Sequence, residues 1–276
     1  MHKGGPMSVQ NWNANDYAKH SSAQLKWAME LIEKMPLTGT ESLLDLGCGD
    51  GKITALLAKK LAHGRVLGID ASETMISNAE STFLQAEHPN LSFKKMDASF
   101  LTFQEEFDLV FSNSALHWIK DHGPLLKGIR RALKPNGTCF LRFGGKGTLD
   151  AFQPCIDAIL NNAKWASYFS PIEYFSTFEN LWGLYDDASY MDWLVAHELT
   201  ALSIKLIPSD MVQNNRAALE GWARTTWHPY LSLVPEHLKN EFVSELIDHY
   251  LAIHPADDDG KIHVNMIRLE VQAQKG

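Results

Sequence analysis

The sequence predicts an α/β protein: a doubly wound, seven-stranded, mostly parallel sheet with an added helical cap. Two observations carry this. Through the first half, short apolar or β-branched runs alternate with patterns of helical period, the signature of a parallel sheet covered by crossover helices. Beyond about residue 148 the chain turns helical and rich in aromatics, more helix than a minimal sheet needs. A length of 276 residues suits one core domain carrying such an addition.

The elements follow in order. Ser42–Leu46 reads as a strand, and 51–63 as a helix with Ile53, Leu56, Leu57 and Leu61 on one face. Residues 65–69 form a second strand. Ser72 is placed to cap a helix running to about Ala86, and Leu91–Lys95 is a third strand. The apolar run 107–112 suits a strand buried on both faces. A helix over 125–133 meets Lys134-Pro135-Asn136-Gly137, a stop-and-turn signal, and 138–143 is the next strand. Residues 148–196 are helical, with Trp165, Tyr168, Phe169, Tyr174, Phe175, Phe178, Trp182 and Tyr185. Most of these aromatics are expected to pack helix on helix, the rest to line a pocket over the sheet. Residues 201–207 look like a strand ended by Pro208, 209–253 are helical again, and 262–271 form a closing strand.

Composition narrows function. The balance of 25 Lys+Arg against 33 Asp+Glu gives −8 at pH 7. That disfavours nucleic acid and an anionic membrane surface as partners, yet leaves room for a small anionic molecule in a local basic pocket. Cys48, Cys139 and Cys155 form no CxxC and no zinc spacing. This sparse, odd count fits a reduced cytoplasm. The polar start lacks a signal-peptide core, and Met7 is an alternative start, with 1–6 a leader.

Chemistry concentrates in Leu43-Leu44-Asp45-Leu46-Gly47-Cys48-Gly49-Asp50-Gly51, a strand running into a Gly-rich turn and then a helix. Glycines admit positive φ and close backbone approach to a ligand. The dinucleotide spacing G-x-G-x-x-G fails, because Lys52 stands where the third glycine belongs, and the P-loop pattern fails at Ile53. What remains is acid-x-G-x-G-x-G, whose acid would repel a pyrophosphate and attract a cation. A second strand ends at Asp70, where a carboxylate can accept two ribose hydroxyls. Asp97-Ala98 follows the third strand, with an N-cap as the plain alternative for Asp97. Phe107-Asp108-Leu109-Val110-Phe111-Ser112-Asn113 closes the fourth.

Taken in order, these motifs resemble the class I S-adenosylmethionine-dependent methyltransferases. Ser114-Ala115-Leu116-His117-Trp118-Ile119, with the later Gly221-Trp222-Ala223-Arg224-Thr225-Thr226-Trp227-His228-Pro229-Tyr230 and Asp258-Asp259-Gly260, is similar to their small-molecule branch of trans-aconitate and malonyl-carrier-protein type. The resemblance implies a Rossmann-like core over 41–147 that binds S-adenosylmethionine and releases S-adenosylhomocysteine. A lid would span 1–40, cap helices 148–199 and 208–260, a core strand 200–207, and the last strand and tail 261–276. It places Asp45, Gly47, Cys48, Gly49, Gly51, Asp70, Ala71, Met75, Asp97, Ala98, Ser112, Asn113 and Trp118 around the donor. Tyr17, His117, Arg142, Trp182 and His228 are expected at the acceptor.

In this branch carboxylates are methylated, which calls for cationic recognition. Arginines expected near the N-terminal cap are missing from 11–25, where Tyr17, Lys19, His20 and Gln24 stand instead. Arg142, at the end of a core strand, is the leading anion-recognising candidate, with an internal ion pair as the alternative. Lys146, Arg224, His228 and Arg268 are lesser ones. His117 is a candidate general base or a packed residue holding the donor. Trp12 and Tyr17 could close the pocket. No metal is expected, since His197-Glu198 lacks HExxH or HxH spacing. Carboxyl O-methylation of a small acceptor by a monomer or weak homodimer is the leading expectation, ahead of C-, N- or hydroxyl methylation. A non-catalytic donor-binding module and a nicotinamide-dependent reductase are the rivals from other classes.

Overall fold

A computed structural model describes residues 22–276; Trp12 and Tyr17, with most of the expected lid, lie outside the described residues. The chain opens with α1 (Ser22–Ile32), then β1 (Ser42–Leu46), α2 (Lys52–Lys60), β2 (Arg65–Asp70), α3 (Glu73–Thr82), β3 (Leu91–Lys95) and β4 (Phe107–Asn113). It continues through α4 (His122–Ala132), β5 (Leu133–Gly144), α5 (Gln153–Asn161), α6 (Ala163–Ala166), α7 (Ile172–Phe175) and α8 (Asp187–Ala196). The last elements are β6 (Leu199–Gln213), α9 (Arg216–Thr226), α10 (His228–Leu231), α11 (Lys239–Ile253) and β7 (Ile262–Lys275).

The strands form one seven-stranded sheet in the order β3-β2-β1-β4-β5-β7-β6. The first five are parallel, and β7 runs antiparallel to both β5 and β6. Strand order reverses between β1 and β4, and sheets of this kind bind ligands beyond the carboxyl ends of strands at that switch point.

Local chemistry explains most element ends. Ser72 Oγ accepts the Met75 amide at 3.4 Å and starts α3, while Asp121 accepts the Gly123 amide at 2.9 Å and starts α4. Gly51, at φ +79°, is the turn residue before α2. Asn136, at φ +63°, lies where the β4–β5 register shifts, so Pro135 and Gly137 are absorbed into an irregular start of β5 rather than a free loop.

The expected end of the sixth strand at Pro208 is corrected: β6 runs on to Gln213, with Pro208 paired opposite Ile267. As β6 is the sheet edge, a residue without an N–H can face outward there at no cost in ladder bonds. The later cap helices therefore begin at Arg216, not 209, and the closing strand reaches Lys275.

Two cores flank the sheet, and a third fills the cap. Leu43, Leu57, Val66 and Phe111 pack with Ala28, Leu31 and Ile32 of α1, while Leu125, Leu126 and Ile129 of α4 face Val110 and Leu141. The cap core holds Phe152, Trp165, Phe169, Trp227, Tyr230, Phe242 and Tyr250. Phe152 stacks on Tyr250 at 4.3 Å. The expectation that the helical aromatics are mostly packing holds for Trp165, Phe169, Phe175 and Phe178, whereas Tyr174 is exposed. No helix among the described residues is long and apolar enough to cross a membrane.

Candidate active site

The turn after β1 is drawn tight by backbone bonds. The Gly47 and Cys48 amides both donate to the Ile69 carbonyl, at 2.8 and 2.9 Å. Gly47 (φ +72°), Gly49 (φ +54°) and Gly51 all take left-handed conformations that side chains resist. A Cβ on Gly47 would stand 2.3 Å from the Ala115 Cβ, so the loop backbone lies directly against the Ala115 methyl in the segment after β4. Asp70 accepts the Gly49 amide at 3.0 Å and the Ser72 amide at 2.8 Å. Its carboxylate thus ties the loop to the start of α3 at the rim of the switch point. Burial raises the Asp70 carboxyl, against the pull of those two bonds.

Asp45 is corrected as a residue facing a cation. It is buried and accepts the Thr54 hydroxyl at 2.7 Å, so it anchors α2 beneath the loop. Burial lifts its pKa to about 7. Cys48 is buried as well, and burial raises its thiol. Asp97 is exposed and caps a short turn by accepting the Ser99 amide at 2.8 Å, its plain alternative. Met75 is buried, Ala98 half-buried and Ala71 exposed. Ser112 is buried with its hydroxyl on the Leu46 carbonyl at 2.8 Å, and buried Asn113 is followed by Ser114 at φ +58°.

On the other side of residues 114–118 lies a cavity that is partly open to solvent. Strands β5 and β7 supply Arg142, Phe143, Gly144, Met266, Ile267 and Arg268, and the segment after β4 supplies Ser114, His117 and Trp118; the remainder supplies Trp27, Thr148, Leu149, Trp182, Leu184, Trp222, Thr225, Thr226 and Trp227. His117, Arg142 and Trp182 all line this one cavity. Trp118, expected on the donor side, also lines this cavity, 6.5 Å from the Trp182 ring. His228 does not line it and sits half-buried at the start of α10. Trp27, Trp222, Trp227, Thr225 and Thr226 were not singled out individually. Trp222, Thr225, Thr226 and Trp227 lie in the 221–230 stretch that carries the resemblance, without a role of their own assigned there, and Trp27 has no signal beyond apolar periodicity.

Arg142 realises the alternative reading, an internal ion pair. It is 1% exposed. Its Nε donates to Glu270 at 3.0 Å and Nη2 binds the same carboxylate; Nη1 reaches the Trp27 carbonyl and, at 3.2 Å, Glu30. Burial works against the Glu270 charge, but Lys34 and Arg142 outweigh it and hold that carboxyl below the ordinary range. Arg268 is less committed. Its Nη1 shares Glu30 at 3.2 Å, its plane lies 5.0 Å from the Trp27 ring, and its buried Nε has no partner among the described residues. Burial and then the neighbouring Arg142 lower its pKa. Lys146 faces Asp186 at 3.7 Å and Arg224 is exposed. No cluster of three or more metal-ligating side chains occurs among the described residues.

His117 accepts the Gly144 amide at Nδ1, 3.4 Å away, which assigns its proton to Nε2. Burial, with the repulsion of His122, pushes its pKa down to about 4, so it is neutral at pH 7. His122 is fully buried between the Tyr190 hydroxyl at 2.9 Å and the Leu116 carbonyl at 3.0 Å; burial brings it to about 4 also. Below pH 6.5 the unfolded chain takes up two protons that these rings refuse, so stability should fall as pH drops toward 4. Asp45 opposes this. Its raised pKa makes the folded chain hold an extra proton between about 4 and 7, and that contribution is lost as pH rises. For these three groups taken together the expected net is about one proton, or about 1.4 kcal/mol per pH unit. Asp45→Asn removes the opposing group and should steepen the fall of stability with pH by about one proton, about 1.4 kcal/mol per pH unit, in urea unfolding between pH 6.5 and 4.5. Equal slopes would contradict these assignments.

Comparison with known proteins matches this picture. Residues 43–137 match the family model described as a methyltransferase domain. A trans-aconitate 2-methyltransferase of Variovorax paradoxus is 26% identical over 268 residues, covering 96% of this chain and 98% of that protein. Among solved structures, YcgJ of Bacillus subtilis superposes with a TM-score of 0.62 at 16% identity, covering 91% of this chain and 98% of that one. The Haemonchus contortus phosphoethanolamine N-methyltransferase 2, in complex with S-adenosyl-L-methionine, superposes at 0.59 with 18% identity, covering 98% of this chain and 58% of its own. The fold and the loop together define a class I methyltransferase. The chain is an S-adenosylmethionine-dependent enzyme of that class.

Proposed function

We propose that this enzyme O-methylates the carboxylate of a small molecule. The carrying observation is Arg268, a guanidinium at the cavity wall whose buried Nε has no partner. A cation held in an apolar wall recognises an anion strongly, because water does not compete there. The surrounding charges agree in sign: Arg142, Arg268 and Lys34 face Glu30 and Glu270, leaving one positive charge over. The Variovorax relative, named for a carboxylic acid, supports the same reading.

The donor residues divide the work. Residues 47–51, Ser112 and Asn113 form the floor that receives the methionyl part, and Asp70 takes the ribose hydroxyls with the lone pairs its two amide bonds leave over. Asp97, Ala98, Ala71 and Met75 surround the base. Three glycines in the left-handed conformation within five residues fit a ligand pressed against bare backbone. When bound, S-adenosylmethionine supplies a methyl on a sulfonium: a carboxylate oxygen forms the new O–C bond while the S–C pair stays on sulfur, giving a methyl ester and S-adenosylhomocysteine.

No proton needs removing from a carboxylate, so the enzyme contributes mainly orientation and exclusion of water. His117 then serves as a neutral hydrogen-bond donor from Nε2 beside the acceptor, and no base is required. Incubation with methyl-labelled donor and a panel of carboxylic acids, amines and alcohols tests this. Base-labile methyl esters from the acids are expected; label confined to amines or alcohols would refute it.

A further inference from the structure

The cavity's polarity is lopsided. Five tryptophans line it (Trp27, Trp118, Trp182, Trp222 and Trp227), with leucine, methionine and isoleucine between them. Of its two arginines, Arg142 is fully engaged by Glu270, Glu30 and the Trp27 carbonyl. That leaves Arg268. Besides the His117 Nε2–H there is a further unspent donor: Trp227 is 1% exposed, and its indole N–H has no partner among the described residues. The hydroxyls of Thr225 and Thr226 are already given to the Trp222 carbonyl, at 2.8 and 2.9 Å.

We propose that the acceptor is an amphipathic monocarboxylic acid, with an aromatic or branched apolar body and one carboxylate, rather than a compact di- or tricarboxylate. This rests on the carboxyl-methylation reading above. One carboxylate can be answered by Arg268 and the Trp227 N–H together. Each additional carboxylate would have to shed its water against indole and alkyl groups with no cation to meet it, a cost that burial of charge makes prohibitive. An apolar body gains from the same walls, which bury it against rings at low entropic cost.

The test measures kcat/KM for methyl-ester formation across three sets: unbranched and aryl-substituted monocarboxylic acids of increasing size, trans-aconitate and citrate, and amines and alcohols of matching shape. Monoacids should exceed the tricarboxylates at least about tenfold. Each added methylene should raise kcat/KM about fourfold until the cavity is filled. Arg268→Met should lower kcat/KM for monoacids about a hundredfold while S-adenosylhomocysteine affinity, read by calorimetry on the same sample, stays unchanged. That second readout separates a lost contact from a lost fold. Trp227→Phe, which keeps a ring and removes only the N–H, should lower it about three- to tenfold. Preference for trans-aconitate or citrate would overturn the proposal and leave carboxyl methylation standing. Methylation of amines or alcohols alone would overturn both. Undiminished turnover of monoacids by Arg268→Met would overturn the assignment of the counter-charge.

Discussion

Gly47→Ala is expected to cripple donor binding. The new Cβ would stand 2.3 Å from the Ala115 Cβ, on a residue at φ +72°. The left-handed conformation costs an alanine about 1–2 kcal/mol, but the contact matters more. Neither backbone can yield without moving Gly47 off the Ile69 carbonyl or shifting residues 114–118, which carry Ser114 and His117 into the cavity. S-adenosylhomocysteine affinity should fall at least about tenfold, or 1.4 kcal/mol, with a larger drop in kcat/KM because both sides of the site move. Gly260→Ala supplies the control, since Gly260 has φ +76° and nothing within 4 Å of its added Cβ. It bears the strain without the collision and should bind the donor normally. Wild-type affinity in Gly47→Ala, read by calorimetry, would contradict the close approach as the function of this glycine.

Arg142→Met is expected to destabilise the fold by about 3–5 kcal/mol, lowering the Tm by on the order of 10 °C. The guanidinium is buried, and removing it leaves Glu270 with Lys34 alone, whose side chain is half exposed. It also strips the Trp27 carbonyl of its donor and loosens α1 from β5. Glu270→Gln in the same chain should recover part of the loss, because the uncompensated charge goes with it, and the double-mutant cycle gives the coupling directly. A loss under 1 kcal/mol would mean that the pair is incidental. For acceptor recognition the expectation is reversed from the one the bare sequence suggests: Arg268, rather than Arg142, should carry the affinity for acids.

That reversal shows where reading the sequence ran out. The loop at 47–51 was legible because its information is local: strand, glycines and helix lie within a dozen residues, and the spacing alone rejected two other nucleotide loops. Asp70 and the strand ends were legible for the same reason. The fate of Arg142 was not, because its partner Glu270 lies 128 residues away and comes beside it only when β7 pairs with β5. Trp227 and Arg268 meet in one cavity through the same folding together of cap and sheet. Pro208 misled because a proline ends a central strand but is tolerated on an edge, and edge position is a property of the sheet.

What the sequence determined by itself, then, was the α/β core, the Gly-rich turn after β1 and the class of cofactor, since these rest on short-range spacing and on backbone conformations that only glycine takes easily. The tertiary structure alone decided which charges are spent and which are left to act. An ion pair is made or withheld by where distant strands place two side chains, and burial then sets what each remaining charge can do.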